Sequence, residues 1–352
     1  MDAPLTAQEL IDICHSPAAA EAYSSASGCA YLVVQTDPRL DVLQVDQLPQ
    51  CPVIGWAAAG GAESSRVFDL VLDDPQILAT VISQITAQPV ASTTLIQVLR
   101  HNTTVLDRLT PASARSAGLL AESLAYSSLQ HSHGFQNWLA QQPSAKPAKP
   151  AKTRKPAKTR KPAKTINTAN TKVVLAERQS DQLMITLNRP EVHNAFNEAM
   201  KAALCELLQL AACDPSIHTV QLQGRGASFC AGGDLSEFGL ATDAGVAHTS
   251  RTTRHAGALL AGLACHTSAI LHGACIGAGI EVPAFAKHVT AHPETTFRLP
   301  EVAMGLVPGA GGTVSILRRI GRQRTAYMAL SNAPIDAPTA LGWGLIDSLT
   351  EP

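Results

Sequence analysis

The sequence predicts an α/β protein with a smaller helical block at its amino end. Strand and helix signals alternate through residues 172–352, with Gly-rich turns between them, which is the mark of strand–strand–helix units. A Pro/Ala/Lys stretch at 143–171 divides this part from residues 1–142, where helical spacing dominates. The chain has 352 residues, 45% hydrophobic and 16% charged, enough apolar matter for one large or two medium cores. Aromatic residues make up only 4%, so small aliphatic side chains must fill those cores.

In the amino block, 31–34 and 52–56 read as strands within a region of strand signals at 30–72. From Asp74-Pro75 onward Ile77, Leu78, Val81, Ile82 and Ile85 recur at helical spacing. A second helix follows Pro89, with Leu95, Val98 and Leu99, and a third runs from about 112 to 129, giving a helical subdomain at 75–140. The stretch 143–165 carries nine Lys/Arg, five Pro and no acid, with AKTRKP repeated in tandem. Like-charge repulsion and repeated Pro make it an extended linker. The rest of the chain holds 18 basic against 28 acidic residues, and the stretch lacks aromatics that could stack on bases. Nucleic acid is therefore not an expected partner.

In the carboxy block, 183–187 reads as a strand and Asn197 caps a helix running to about 213, where Asp214-Pro215 stops it. A second strand at 220–223 ends in Gly224-Arg225-Gly226. A helix is expected around 250–264 and a strand over 269–272. No apolar run reaches membrane-spanning length. The amino end lacks the basic and apolar regions of an export signal, and the eight Cys include no CxxC pair. They read as reduced thiols of a cytoplasmic protein, with no metal site.

Three segments can carry chemistry. In Ser228-Phe229-Cys230-Ala231-Gly232-Gly233-Asp234-Leu235, small residues after a strand can leave the Gly233 amide unpaired. In His272–Glu281 a strand, a Gly-rich turn and a helix start offer the Ala278 amide, reinforced by the helix dipole. Glu281, three residues on, faces the same side. The third segment holds Glu301 behind Pro300, then Gly309-Ala310-Gly311-Gly312-Thr313.

Together these segments resemble the crotonase superfamily, the enoyl-CoA hydratases and isomerases. LNRPEVHNAF is similar to that family's LNRPxxxNAL, SFCAGGDL to FxAGxDL, GACIGAGIE to NGxAxGGGxE, and LPEVAMGLVPGAGGT to PExxxGxxPGxGGT, all in family order. The resemblance implies a crotonase-like (ClpP/crotonase) spiral over 172–352. It also implies oxyanion-hole amides from Gly233 and Ala278, and Glu281 and Glu301 as the catalytic pair. Val192, Ala231, Gly233, Asp234, Leu235 and Ala278 would line the CoA and thioester path. The implied activity is hydration of an enoyl-CoA, with no cofactor beyond the coenzyme A of the substrate. The alternatives are a double-bond isomerase or a non-catalytic acyl-CoA-binding subunit. A homotrimer or homohexamer is the expected assembly.

His272 replaces the family's Asn, Ala278 a Gly, and Lys287 an Asp, which puts the support of the catalytic helix in question. The family normally continues beyond the region of Gly344–Ser348 into a helical subdomain. Residues 75–140 look like that subdomain, down to an ExxAxxxLxxSxxF pattern and a closing WL. The expectation is a circular permutation, with the helical subdomain placed ahead of the core.

Overall fold

The amino block begins with α1 (Ala7–His15), fixed by a capping box between Thr6 and Glu9, and the short α2 (Ala19–Ala22). Three strands, β1 (Leu32–Gln35), β2 (Val53–Trp56) and β3 (Leu70–Leu72), pair in parallel in that order. Four helices follow: α3 (Pro75–Ala87), α4 (Pro89–Arg108), α5 (Pro111–Leu129) and α6 (His133–Ala140). Pro opens the first three, a position where its missing N–H has no intrahelical partner to lose. Asp74, Thr110 and Ser132 cap their helices through side-chain oxygens. The computed structural model describes residues 3–40, 47–57, 66–142 and 172–351, so the basic linker at 143–171 lies outside the described residues.

The carboxy block opens on the hairpin β4 (Val174–Gln179) and β5 (Gln182–Leu187), then α7 (Glu198–Cys213), capped by Asn197, and β6 (Thr219–Gly224). The helix expected around 250–264 is two, α8 (Ala244–Thr253) and α9 (Ala256–Gly262). They part because His255 leaves helical geometry and caps α9 through its ring. Next come β7 (His266–Leu271), β8 (Ala274–Ile276), the single turn α10 (Ala278–Glu281), β9 (His288–Ala291) and β10 (Thr296–Arg298). The chain closes with α11 (Gly312–Ser331), β11 (Ile335–Asp336), α12 (Ala337–Trp343) and β12 (Ser348–Leu349).

Successive strands fall into two sheets. The larger has the order β12-β9-β7-β6-β5-β4 and is parallel except for the β4–β5 hairpin. The smaller has the order β11-β10-β8. Each pair β7–β8, β9–β10 and β11–β12 gives one strand to each sheet, so the chain advances as a coil of strand–strand–helix turns. The helical signals of the amino block do not build a separate core. Val81, Ile85, Leu95 and Leu99 are buried in the same cluster as Ile316 and Leu330 of α11. A second, smaller cluster under α1 is made by Leu10, Val34, Leu40 and Val53.

A buried charge ties these layers. Asp69, fully buried, receives Arg100 of α4 as a fork at 2.8 and 2.5 Å, with the Val53 amide at 2.8 Å and Arg322 of α11 at 3.7 Å. Removing one partner leaves the others charged and unpaired. Asp69→Asn should therefore lower the unfolding free energy by about 3–5 kcal/mol, measured by urea denaturation. Among the described residues no helix is long and apolar enough to cross a membrane, and no group of three or more His, Cys, Asp or Glu could hold a metal ion.

Candidate active site

The two Gly-rich segments meet edge to edge. Cys230 and Cys275 form a parallel bridge, and the Ile276 amide donates to the Cys230 carbonyl at 3.1 Å. A methyl on Gly279 would run into that same carbonyl, so only glycine allows the approach. The first loop is clamped beneath them by Asn194, fully buried. Its amide side chain donates to the carbonyls of Arg225 and Ser228 at 2.8 and 3.0 Å and accepts from the Arg189 amide at 2.7 Å. In this arrangement neither the Gly233 nor the Ala278 amide donates a hydrogen bond within the described residues, and both residues line one cavity of about 230 Å³. Ala278 opens α10 and so has no intrahelical acceptor.

Glu281 and Glu301 line the same cavity. Gly277 between them has φ +50°, a conformation glycine adopts without strain. A methyl there would strike Glu301 Oε1, with Glu281 Oε1 3.8 Å away. Glu281 is 1% exposed, and its Oε2 accepts from the Ala310 and Gly312 amides, both at 2.8 Å. Glu301 Oε2 is buried with no hydrogen-bond partner among the described residues. Burial raises the Glu281 carboxyl to about 7, against the pull of those two amides. Glu301 is pushed well above the usual carboxylate range, first by burial and then by the charge of Glu281. The pair therefore titrates in two steps, with Glu281 losing its proton first.

A third carboxylate comes from the amino block. Glu122 of α5, 2% exposed, accepts from the Gly311 amide at 2.8 Å and from the Thr313 amide and hydroxyl at 3.0 and 2.6 Å. Burial, then the charge of Glu281, pushes it up to about 8. The amides of 310–313 thus alternate between Glu281 and Glu122. Asn102 of α4 fastens the same loop by donating to the Thr313 carbonyl at 2.9 Å. Helix α6 presses on the turn after Glu301, where Gly305 has no room for a methyl beside Phe135. Tyr126 and Phe135 join the cavity wall, with Tyr126 packed over Gly309.

Of the residues expected on the thioester path, Gly233, Asp234 and Ala278 line the cavity. Val192, Ala231 and Leu235 do not. Val192 and Leu235 are 40% and 52% exposed on surface turns, and the Ala231 amide is spent on the His193 carbonyl at 2.9 Å. The Asp234 carboxylate pairs with Arg189 at 2.9 Å and caps the turn at Ser236, which lowers its pKa and makes it a loop fastener. The Lys287 ammonium holds the carbonyls of Ala264 and Cys265 at 3.1 and 2.9 Å, which ties the segment after α10 to the turn before β7. His272, in place of the family's Asn, meets the Gly226 carbonyl at 2.9 Å. The sequence reading passed over Glu122, although it is the acid of the ExxAxxxLxxSxxF segment. A carboxylate among the apolar and small residues of α5 was the available signal.

The coil of strand–strand–helix turns, with its crossing Gly-rich loops, is that of the crotonase superfamily. The profile described as enoyl-CoA hydratase/isomerase matches residues 177–351, and the chain belongs to that family. It is 34% identical over 177 residues to the 2,3-dehydroadipyl-CoA hydratase of Escherichia coli (strain K12), covering 50% of this chain and 68% of that protein. It is 33% identical to the mevalonyl-coenzyme A hydratase sidH of Aspergillus fumigatus, over 48% of this chain and 63% of that one. The solved structure of Pseudomonas aeruginosa DspI overlaps 53% of this chain and 72% of its own, with 28% identity and a TM-score of 0.49. The matched part thus spans about two thirds of the length of these relatives.

Proposed function

We propose that this protein adds water across the 2,3 double bond of an enoyl-CoA thioester, or removes it in reverse. The observation that carries the reading is a pair of buried carboxyls, one held by two amides and the other with an unpartnered oxygen, beside two free amides in one cavity. The thioester oxygen sits between the Gly233 and Ala278 amides. Negative charge grows on that oxygen as the enolate forms, and each donor contributes on the order of 3–4 kcal/mol to the transition state. Glu281, the first to ionise, takes the proton of the attacking water at Cβ. Glu301, which holds its proton, delivers it to Cα. No group beyond the coenzyme A of the substrate is called for.

Loss of the conjugated thioester's ultraviolet absorbance on mixing with crotonyl-CoA tests the reading. Hydration removes conjugation, isomerisation of a 3-enoyl thioester creates it, and a non-catalytic subunit does neither. The pH profile is a further expected outcome. Because the base must be ionised, kcat/KM should climb as pH rises through about 7. It should fall again at higher pH, as Glu301 gives up its proton. A profile flat from pH 5 to 9 would contradict the assignment.

We further propose that residues 75–140 serve as the permuted helical subdomain of the family, since Glu122, Tyr126 and Phe135 complete the site. A homotrimer or homohexamer in the cytoplasm remains the expected assembly. Exposed Leu120 and Leu124 on α5 offer apolar surface for it.

A further inference from the structure

We propose that the acyl group this site takes ends in a carboxylate, and that Arg251 of α8 receives it. The proposal rests on the enoyl-thioester reading of the same cavity. Outside the catalytic pair, every carboxylate in the cavity wall is engaged. Asp234 pairs with Arg189 at 2.9 Å, Glu198 with Lys201 at 2.7 Å, and Glu237 accepts from the Glu198 amide at 2.9 Å. His255 adds no charge, because burial pushes its pKa down to about 4.

The cations are not balanced in the same way. Arg251 and Arg254 both line the cavity, and among the described residues neither has a carboxylate within ion-pair distance. Arg254 is exposed, so water can satisfy it. Arg251 is partly buried, stacked 4.6 Å over the ring of Tyr126. Its partners are all neutral oxygens: Ser123 Oγ at 3.3 Å, Gln130 Oε1 at 3.4 Å and Ser127 Oγ. A guanidinium has five N–H donors, so these three bonds leave two unused. A desolvated cation held by neutral acceptors gains most from an anion that arrives with the ligand. Tyr126 packs on Gly309, next to the Ala310 amide that seats Glu281. Arg251, Tyr126, Gly309, Ala310 and Glu281 thus line one cavity.

The chemical class that fits is the mono-thioester of an unsaturated dicarboxylic acid. The alternative anion is a phosphate of coenzyme A, and the test separates the two. The full-length protein is assayed on crotonyl-CoA and on ω-carboxy-2-enoyl-CoA thioesters of increasing length. The wild type should show a kcat/KM for the best ω-carboxylate about tenfold or more above that for a neutral chain of equal length. In Arg251→Gln this ratio should fall about 10- to 100-fold, with partial recovery in Arg251→Lys. Equal losses on both substrates would assign the guanidinium to the phosphates and overturn the proposal. A wild type that prefers neutral chains would overturn it without any variant, as would an unchanged ratio in Arg251→Gln. If crotonyl-CoA and the ω-carboxylates are all left unhydrated, the enoyl-thioester reading itself fails and this proposal with it.

Discussion

Glu281→Gln should lower the rate of enoyl-CoA hydration by about 10²–10⁴-fold, the range lost when a general base is removed. The amide keeps the shape of the carboxyl and can still accept from Ala310 and Gly312, so the loss falls on kcat more than on KM. Glu301→Gln should cost a similar factor for a different reason, because it removes the proton donor at Cα and leaves the base intact. Its effect on stability runs the other way. Glu301 holds its proton in the folded protein well above 4.5, the value at which an unfolded chain would release it. The folded state therefore binds more protons than the unfolded one above that pH, and stability drains away as pH rises. At pH 8 the Gln variant should melt no lower than the wild type, while losing activity. Hydration rates left intact in both variants would sink the acid–base assignment.

Deleting residues 1–142 should leave a carboxy block that is insoluble or inactive. The deletion strips Val81, Leu95 and Leu99 from the apolar cluster they share with α11. Residues left behind, such as Ile316 and Leu330 of α11, lose that cover, and exposing side chains of this size costs roughly 1.5–3 kcal/mol each, a large part of the stability of a typical domain. It also removes Glu122, and with it the acceptor for the Gly311 and Thr313 amides. A remaining core that stays soluble, oligomeric and active, seen by sedimentation and by the absorbance assay, would defeat the permutation.

Much of this was legible beforehand where local chemistry decides the outcome. Asn197 before an apolar stripe marks the start of α7, and Asp214-Pro215 its end. Pro75, Pro89 and Pro111 each open a helix of the amino block. The Gly-rich turns point to Gly233 and Ala278 because small residues are needed where backbones nearly touch. What the chain order hides is longer-range. Strand β3 is only Leu70–Leu72, too short to show a period. Helices α8 and α9 part at His255, whose capping ring looks like any other helical residue in sequence. The approach of Glu122 to Gly311 joins positions almost two hundred residues apart, and no local pattern encodes it. Likewise the pairing of Asp234 with Arg189 spans separate loops and leaves no local signal.

The loop at 310–313 has a further consequence for how this chain can vary. Even-numbered amides, Ala310 and Gly312, serve one acid, and odd-numbered ones, Gly311 and Thr313, serve the other. Adding or losing a single residue there would move every one of these amides off the acid it serves, so two carboxylates fix the length of the segment at once. Nor can it exchange side chains freely, because a methyl at Gly309, Gly311 or Gly312 would strike Tyr126, Phe285 or Glu281.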